Sequence, residues 1–272
     1  MTWKAAIIDL DGTLLNATKK ISGRNERSIR SFVQAGYKLI IATGRPPHMV
    51  DDLYPVLREA SYIIYFNGAL IKKKQDLFGE KWSIPKQAVK DTIDFFQKQD
   101  PEAYLFFETD KRWYANRVLS QEESTLFTHG SSAFVQPLLL HRDQVEEHDV
   151  YKILFSRYSK AHMAYRRAFA EELQIGYMIG GNPMEVTHIK ASKERAAGMV
   201  LQDLGLDPQE VIVFGDEYND LGLFQLCGMP IAMGNATEEI KRMAKKIALS
   251  HEQDGVAVIL EQLLDGGEVY DG

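Results

Sequence analysis

The chain carries a single cysteine, Cys227, among 272 residues. One thiol permits no internal disulfide, no C-x-x-C redox pair and no multi-cysteine zinc site, and it suits a reducing compartment. Long hydrophobic runs are missing as well: no segment approaches the roughly 18 uninterrupted apolar residues of a membrane span. The N-terminal apolar run is broken at Asp9, too early for a signal peptide, so a cytoplasmic protein is expected, neither exported nor embedded. Basic residues fall short of acidic ones, 32 Lys+Arg against 38 Asp+Glu, a net charge of −6. With no local basic patch, that field repels nucleic acid and anionic lipid. GxxxxGK[ST], GxGxxG and HExxH are all absent, which removes support for a phosphate-loop NTPase, a dinucleotide site or a zinc hydrolase. Met233 rather than Arg stands six residues after Cys227, so the cysteine-phosphatase loop is excluded too. No internal repeat, low-complexity tract or Gly/Ser-rich linker divides the chain.

What is present is the composition of an ordinary globular protein, 45% apolar, 26% charged and 10% aromatic. At roughly 150 residues per domain its length corresponds to one large or two modest domains. Short apolar runs ending in turn residues read as buried strands at Ala5 to Leu10, Lys38 to Ala42, Tyr62 to Phe66, Val211 to Phe214 and Pro230 to Met233. Helical stripes lie between or after them: Ile29, Phe32 and Val33; Ala196, Ala197, Val200, Leu201 and Leu204; Val256, Ile259, Leu260, Leu263 and Leu264. Such alternation implies parallel strands with crossover helices, hence a doubly wound α/β sheet. The stretch from Trp82 to Ile189 differs, with most of the aromatics, a helix on Val89, Ile93 and Phe96, short strands such as Tyr104 to Phe107, and a second helix on Tyr165, Phe169 and Leu173. The expected organisation is a core of residues 1–81 and 190–272 with an inserted α+β cap, 82–189.

Chemistry gathers at the strand ends. Asp9 and Asp11 are two apart, and strand residues i and i+2 point to one side, so both can face one ligand. Gly12 lets the chain turn and bring its N–H groups toward an anion. Thr43-Gly44-Arg45, Lys193 and Gly215-Asp216 with Asn219-Asp220 follow other strands, and open parallel sheets bind ligands at that edge. These segments, DLDGTLL at 9–15, ATGR at 42–45, ASK at 191–193 and GDEYND at 215–220, resemble the four motifs of the haloacid dehalogenase superfamily. NGA at 67–69, MGNA at 233–236 and DGVA at 254–257 resemble its Cof-type phosphatases of subfamily IIB.

The resemblance implies a phosphatase with Asp9 as nucleophile, Asp11 as general acid and then base, and Lys193 neutralising the transferring phosphoryl group. A carboxylate attacking a phosphate ester is anion against dianion, a repulsion of about 1 kcal/mol per charge pair at 4 Å in water and roughly 4 kcal/mol at an effective dielectric of 20. A cation is therefore needed. Asp9 and Asp216 offer hard oxygens without Cys or His, a set that suits Mg²⁺; by resemblance, the Asp11 main-chain carbonyl joins them. Gly12, Thr43, Gly44, Arg45, Asn67, Gly68 and Asn219 are the candidate phosphate or substrate contacts, and Asp220 the partner that orients Lys193 or metal waters. Thr43 also suits a helix N-cap and Asp220 a first-turn acid. Glu194 stands where the family usually has Gly and would bring another negative charge near the phosphate. The implied substrate is a small phosphorylated metabolite, a sugar phosphate first. A sugar phosphomutase reusing the phospho-aspartate is the alternative, and a receiver-like signalling module a more distant one. The oligomeric state has no signature in the sequence.

Overall fold

The computed structural model describes residues 3–74, 76–79, 81–118, 120, 136–155, 160–177 and 184–266. The chain divides into two compact units: Met1–Arg45, Met49–Glu80 and Ser192–Gly272 form one, Pro46–His48 and Lys81–Ala191 the other.

The first unit is built on a sheet of eight strands: β1 (Ala5–Ile8), β2 (Lys38–Ala42), β3 (Tyr62–Tyr65), β4 (Leu70–Lys73), β5 (Asp76–Leu77), β12 (Val211–Gly215), β13 (Met229–Ala232) and β14 (Lys246–Ile247). They are ordered β14-β13-β12-β1-β2-β3-β4-β5. From β14 to β3 the pairing is parallel, with Ile7 opposite Val213 on one side and Ile40 on the other. The last two strands depart from the all-parallel expectation, since β3, β4 and β5 pair antiparallel. The reason is local: the four residues between β3 and β4 cannot hold a crossover helix, so the chain doubles back. Lys72 and Lys73 sit in β4 with their ammonium groups on Asp51 and Asp203.

The central strands are apolar on both faces, as strands buried on two sides must be. Ala5, Ile7, Ile40 and Val213 pack with Ala196, Ala197, Val200 and Leu201 of the helix Lys193–Leu204. Ala6, Ile8, Leu39 and Ile41 of the opposite face are buried too. The helix Gly23–Gln34 starts where the Ser22 hydroxyl accepts the Asn25 N–H at 3.0 Å, a cap worth about 1 kcal/mol. Gly205 closes the helix Lys193–Leu204 in the left-handed region at φ 64°, where a side chain is disfavoured.

The second unit has a six-stranded sheet from β6 (Leu105–Thr109), β7 (Trp113–Ala115), β8 (Leu138–Leu139), β9 (Val150–Phe155), β10 (Leu173–Tyr177) and β11 (Met184–His188), ordered β10-β11-β9-β6-β7-β8. The helices Lys86–Gln99 and Lys160–Phe169 cover one face, where Phe96 and Tyr165 join Phe107, Ile153, Phe155 and Val186 in a separate core. The second helix is shorter than its stripe implied: it stops at Phe169, and Leu173 opens β10 opposite His188. Leu173 keeps its apolar environment, but in a strand.

Candidate active site

Each parallel strand of the first unit delivers a short polar loop from its carboxyl end. β1 ends at Ile8, so Asp9 and Asp11 lie in the loop beyond it rather than in the strand. The Leu10 carbonyl accepts the N–H groups of Leu14 at 3.1 Å and Leu15 at 2.8 Å, closing that loop on itself. The two side chains take different partners, Asp9 the Lys193 ammonium and Asp11 the Arg45 guanidinium.

Asp9 turns toward Lys193, whose ammonium donates to Asp9 Oδ1 and to Asp220 Oδ1, both at 2.7 Å. All three side chains are buried, with Lys193 1% and Asp220 0% exposed. Lys193 is the first residue of its helix, where the helix dipole opposes a positive charge; the two carboxylates offset that cost. Burial alone would lower the Lys193 pKa, but Asp220 and Asp9 hold it above its ordinary value, so the group stays an ammonium. Asp220 spends its other oxygen on the N–H groups of Asp216 at 3.1 Å and Glu217 at 3.3 Å. Gly215 makes room for this turn, since a Cβ there would stand 2.5 Å from the Asp220 carboxyl carbon.

Asp9, Asp216 and Asp220 each bring an oxygen to within 4.8 Å of the others. Gly12, at φ +75°, is what allows Asp216 in, because a Cβ on it would lie 2.0 Å from Asp216 Oδ2. Thr13 Oγ1 donates to Asp216 Oδ1 at 3.1 Å. Burial, with Asp220 and Glu217 adding to it, pushes the Asp216 carboxyl up to about 7, and burial raises Asp9 well above the usual carboxylate range. With all three carboxylates ionised, the one ammonium would leave two negative charges uncompensated, and their oxygens are hard donors free of sulfur and imidazole. That pocket fits a divalent ion of the Mg²⁺ type.

Asp11 is held apart from this cluster. Arg45 forks onto it, Nε to Oδ2 at 2.6 Å and Nη2 to Oδ1 at 2.7 Å, and the Lys19 ammonium reaches Oδ1 at 2.8 Å. Burial works against ionisation, yet these two cations keep the Asp11 carboxyl well below its ordinary value. Arg45 is only 2% exposed and also donates to the Tyr54 hydroxyl, which in turn donates to the Lys19 carbonyl at 2.9 Å. Lys19 and Tyr54 escaped the sequence reading, for neither stands in a patterned position.

The remaining candidates form a third group. Phe66 and Asn67 have positive φ, 51° and 53°, ahead of Gly68 at 104°, a tight turn fastened by Asn67 N–H to the Thr43 carbonyl at 3.0 Å. A Cβ on Gly68 would meet the Ser192 carbonyl oxygen at 2.1 Å, so this turn seats the residue before Lys193. Asn219 Nδ2 donates to Asn67 Oδ1 at 3.1 Å, and a Cβ on Gly44 would lie 3.2 Å from the same oxygen. Thr43 caps no helix; its hydroxyl accepts the Arg45 N–H at 3.1 Å. Glu194 is exposed, packed over Gly222, where a Cβ would lie 2.5 Å from the Glu194 carboxyl.

A profile described as haloacid dehalogenase-like hydrolase matches residues 6–260. The chain belongs to that family. Phosphatase YwpJ of Bacillus subtilis is 28% identical over 285 residues, spanning 96% of this chain and all of that one. The 5-amino-6-(5-phospho-D-ribitylamino)uracil phosphatase YwtE of the same organism is 28% identical over 291 residues, 97% of this chain and 99% of its own. A solved protein from Geobacillus kaustophilus superposes with a TM-score of 0.83 at 25% identity, covering 96% of this chain and 98% of that one. The family and these full-length relatives make the chain a phosphatase of the haloacid dehalogenase type. Among the described residues no helix is long and apolar enough to cross a membrane.

Proposed function

We propose that the chain is a Mg²⁺-dependent phosphatase of small phosphorylated metabolites, sugar phosphates foremost, acting through a phospho-aspartate on Asp9. The observation that carries this is the buried Asp9 carboxylate beside Lys193 and the Asp216–Asp220 pair, with a separately held carboxylate, Asp11, two residues beyond. Asp9 and Asp216 would hold the ion, together with the Asp11 main-chain carbonyl. When bound, Mg²⁺ supplies the positive charge that lets a carboxylate approach a phosphate dianion.

Asp9 attacks phosphorus as the bond to the leaving oxygen breaks; Asp11, which Arg45 and Lys19 hold ionised here, must first take up a proton from solvent as the substrate enters, and then gives it to that oxygen. Asp11 then takes a proton from water, the water oxygen bonds to phosphorus, and the Asp9–phosphate bond breaks to release inorganic phosphate. Lys193 stays charged throughout and screens the phosphoryl oxygens. Thr43 and Gly44 are the phosphate-side donors, with Gly12, Asn67, Gly68 and Asn219 shaping the same rim. Before Asp11 can reach a leaving group, one of its partners must withdraw. Arg45 is buried, whereas the Lys19 side chain is 35% exposed, so Lys19 is the one that yields.

The substrate class rests on relatives named for phosphate esters, including a phosphorylated ribityl compound. The test is a panel of sugar and polyol phosphates with p-nitrophenyl phosphate, assayed with Mg²⁺ and with EDTA. Phosphate release is expected in Mg²⁺ alone, and Asp9→Asn should lower it by about a thousandfold or more. Release that survives EDTA or Asp9→Asn overturns the mechanism; an isomerised sugar phosphate without free phosphate identifies a mutase.

A further inference from the structure

Asn235 stands in the loop after β13, in a stretch whose sequence assigns it no task. The Asn235 Oδ1 accepts the His251 N–H at 3.0 Å. A carboxamide has one accepting and one donating end, so this bond fixes which way the group points. Its Nδ2 is thereby aimed at the Gly12 carbonyl, 2.8 Å away, and at Asp216 Oδ2, 3.3 Å away. The loop that carries it is pinned on both sides, by Met233 N–H to the Gly215 carbonyl at 3.0 Å and by Gly234 N–H to the Leu249 carbonyl at 3.3 Å. One amide therefore ties the loops that follow β1, β12 and β13.

We propose that Asn235 is a positioning residue for the metal pocket: its amide holds Asp216 Oδ2 against the Gly12 turn while Thr13 holds Oδ1, so both Asp216 oxygens are aimed before an ion arrives. The proposal rests on the Mg²⁺ reading above. The terminal torsion of an Asp side chain is broad, and a carboxylate with one oxygen tethered still rotates about that tether. Two donors from different loops remove the freedom. Partners of this kind typically contribute 10- to 100-fold to metal affinity without touching the metal.

The experiment is a calorimetric titration of the full chain with MgCl₂, wild type against Asn235→Ala, alongside melting in EDTA and kinetics at varied Mg²⁺. Asn235→Ala is expected to raise the Mg²⁺ dissociation constant about 10- to 100-fold, to melt close to wild type in EDTA, and to recover its rate at high Mg²⁺ with the substrate KM little changed. A merely structural Asn would lower the EDTA melting temperature and leave the Mg²⁺ isotherm alone, and that result overturns the proposal. Should Asn235→Ala fail to fold, His251→Pro carries the test. His251 opens a short 3₁₀ turn after Ser250 at φ −65°, ψ 164°, a geometry that accepts proline; the substitution deletes the N–H that orients the amide, together with an imidazole 3.7 Å from Glu252, so His251→Ala, which keeps the N–H, is its control. Weaker Mg²⁺ binding in that variant supports the proposal, and an unchanged isotherm overturns it. A wild-type chain that takes up no Mg²⁺ overturns the metal reading and this inference together; wild-type uptake matched by Asn235→Ala overturns this inference alone.

Discussion

Among the described residues two lysines are fully buried, and each is legible to a different degree. Lys193 lies between Asp9 and Asp220 at 2.7 Å from both. Its place was readable because a lysine opening a helix, at a set distance before Asp216, matches a motif. Lys152 lies 2.8 Å from Glu108, the two side chains 1% and 0% exposed, with Glu185 at 3.9 Å. No pattern announces it, since a charge in a strand reads as a solvent-facing position until the fold covers it. Removing one member of a buried pair strands the other charge, so Lys152→Met is expected to cost about 3–5 kcal/mol in urea unfolding. Glu108→Gln, which keeps an acceptor for the ammonium, should cost clearly less. Equal losses would mean that the retained acceptor contributes nothing and that the charge on Glu108 carries the pair. The same reasoning explains what the sequence hid around Asp11: Arg45 lies within a motif, but Lys19 reaches Oδ1 from a left-handed position, φ 57°, in a turn whose Asn16 side chain accepts the N–H groups of Thr18 and Lys20. Such a turn has no hydrophobic period to betray it.

The elements were legible where apolar runs stop at a Gly or Asp, because burial on two faces and a turn at the end leave few alternatives to a strand. Tyr165, Phe169 and Leu173 misled for the opposite reason: spacing of four suits a helix face, yet Leu173 satisfies its burial in β10. The antiparallel turn into β4 was missed because Tyr62 to Phe66 and Asn67-Gly68 look alike whether the chain crosses over or doubles back. That turn is also where elements meet the site, since Gly68 presses on the Ser192 carbonyl immediately before Lys193. Gly68→Ala adds a methyl group 2.1 Å from that oxygen and forbids the φ of 104°. A left-handed position costs a side chain about 1–2 kcal/mol, and the Ser192 backbone must shift besides. The expected outcome is a folded protein, by circular dichroism, with a melting temperature several degrees lower and a kcat at least about tenfold lower, because a displacement near 1 Å at a charged group is expensive in catalysis. Wild-type kcat in a folded Gly68→Ala protein would show that Lys193 does not depend on this turn.

At the scale of the molecule, the site residues are scattered over more than two hundred positions of sequence, and topology brings them together. The order β13-β12-β1-β2-β3 sets the loops with Asn235, Asp216, Asp9, Thr43 and Asn67 side by side at one sheet edge. All of these residues belong to the first unit, which has its own apolar core apart from that of the second. A ligand that binds only the native state stabilises it in proportion to its occupancy, by about 2.7 kcal/mol at a hundredfold excess over its dissociation constant. That stabilisation falls first on the segments that must open to release the ligand. Mg²⁺ without substrate is therefore expected to slow amide hydrogen exchange in residues 9–13, 215–220 and 233–236, while the strands β6, β9 and β11 of the second unit keep their rates. Asp216→Asn, which removes one carboxylate from the pocket, should abolish the protection in all three loops at once, including 9–13, two hundred residues away in sequence. Loss confined to the 215–220 loop would mean that the three loops do not act as one metal-holding edge.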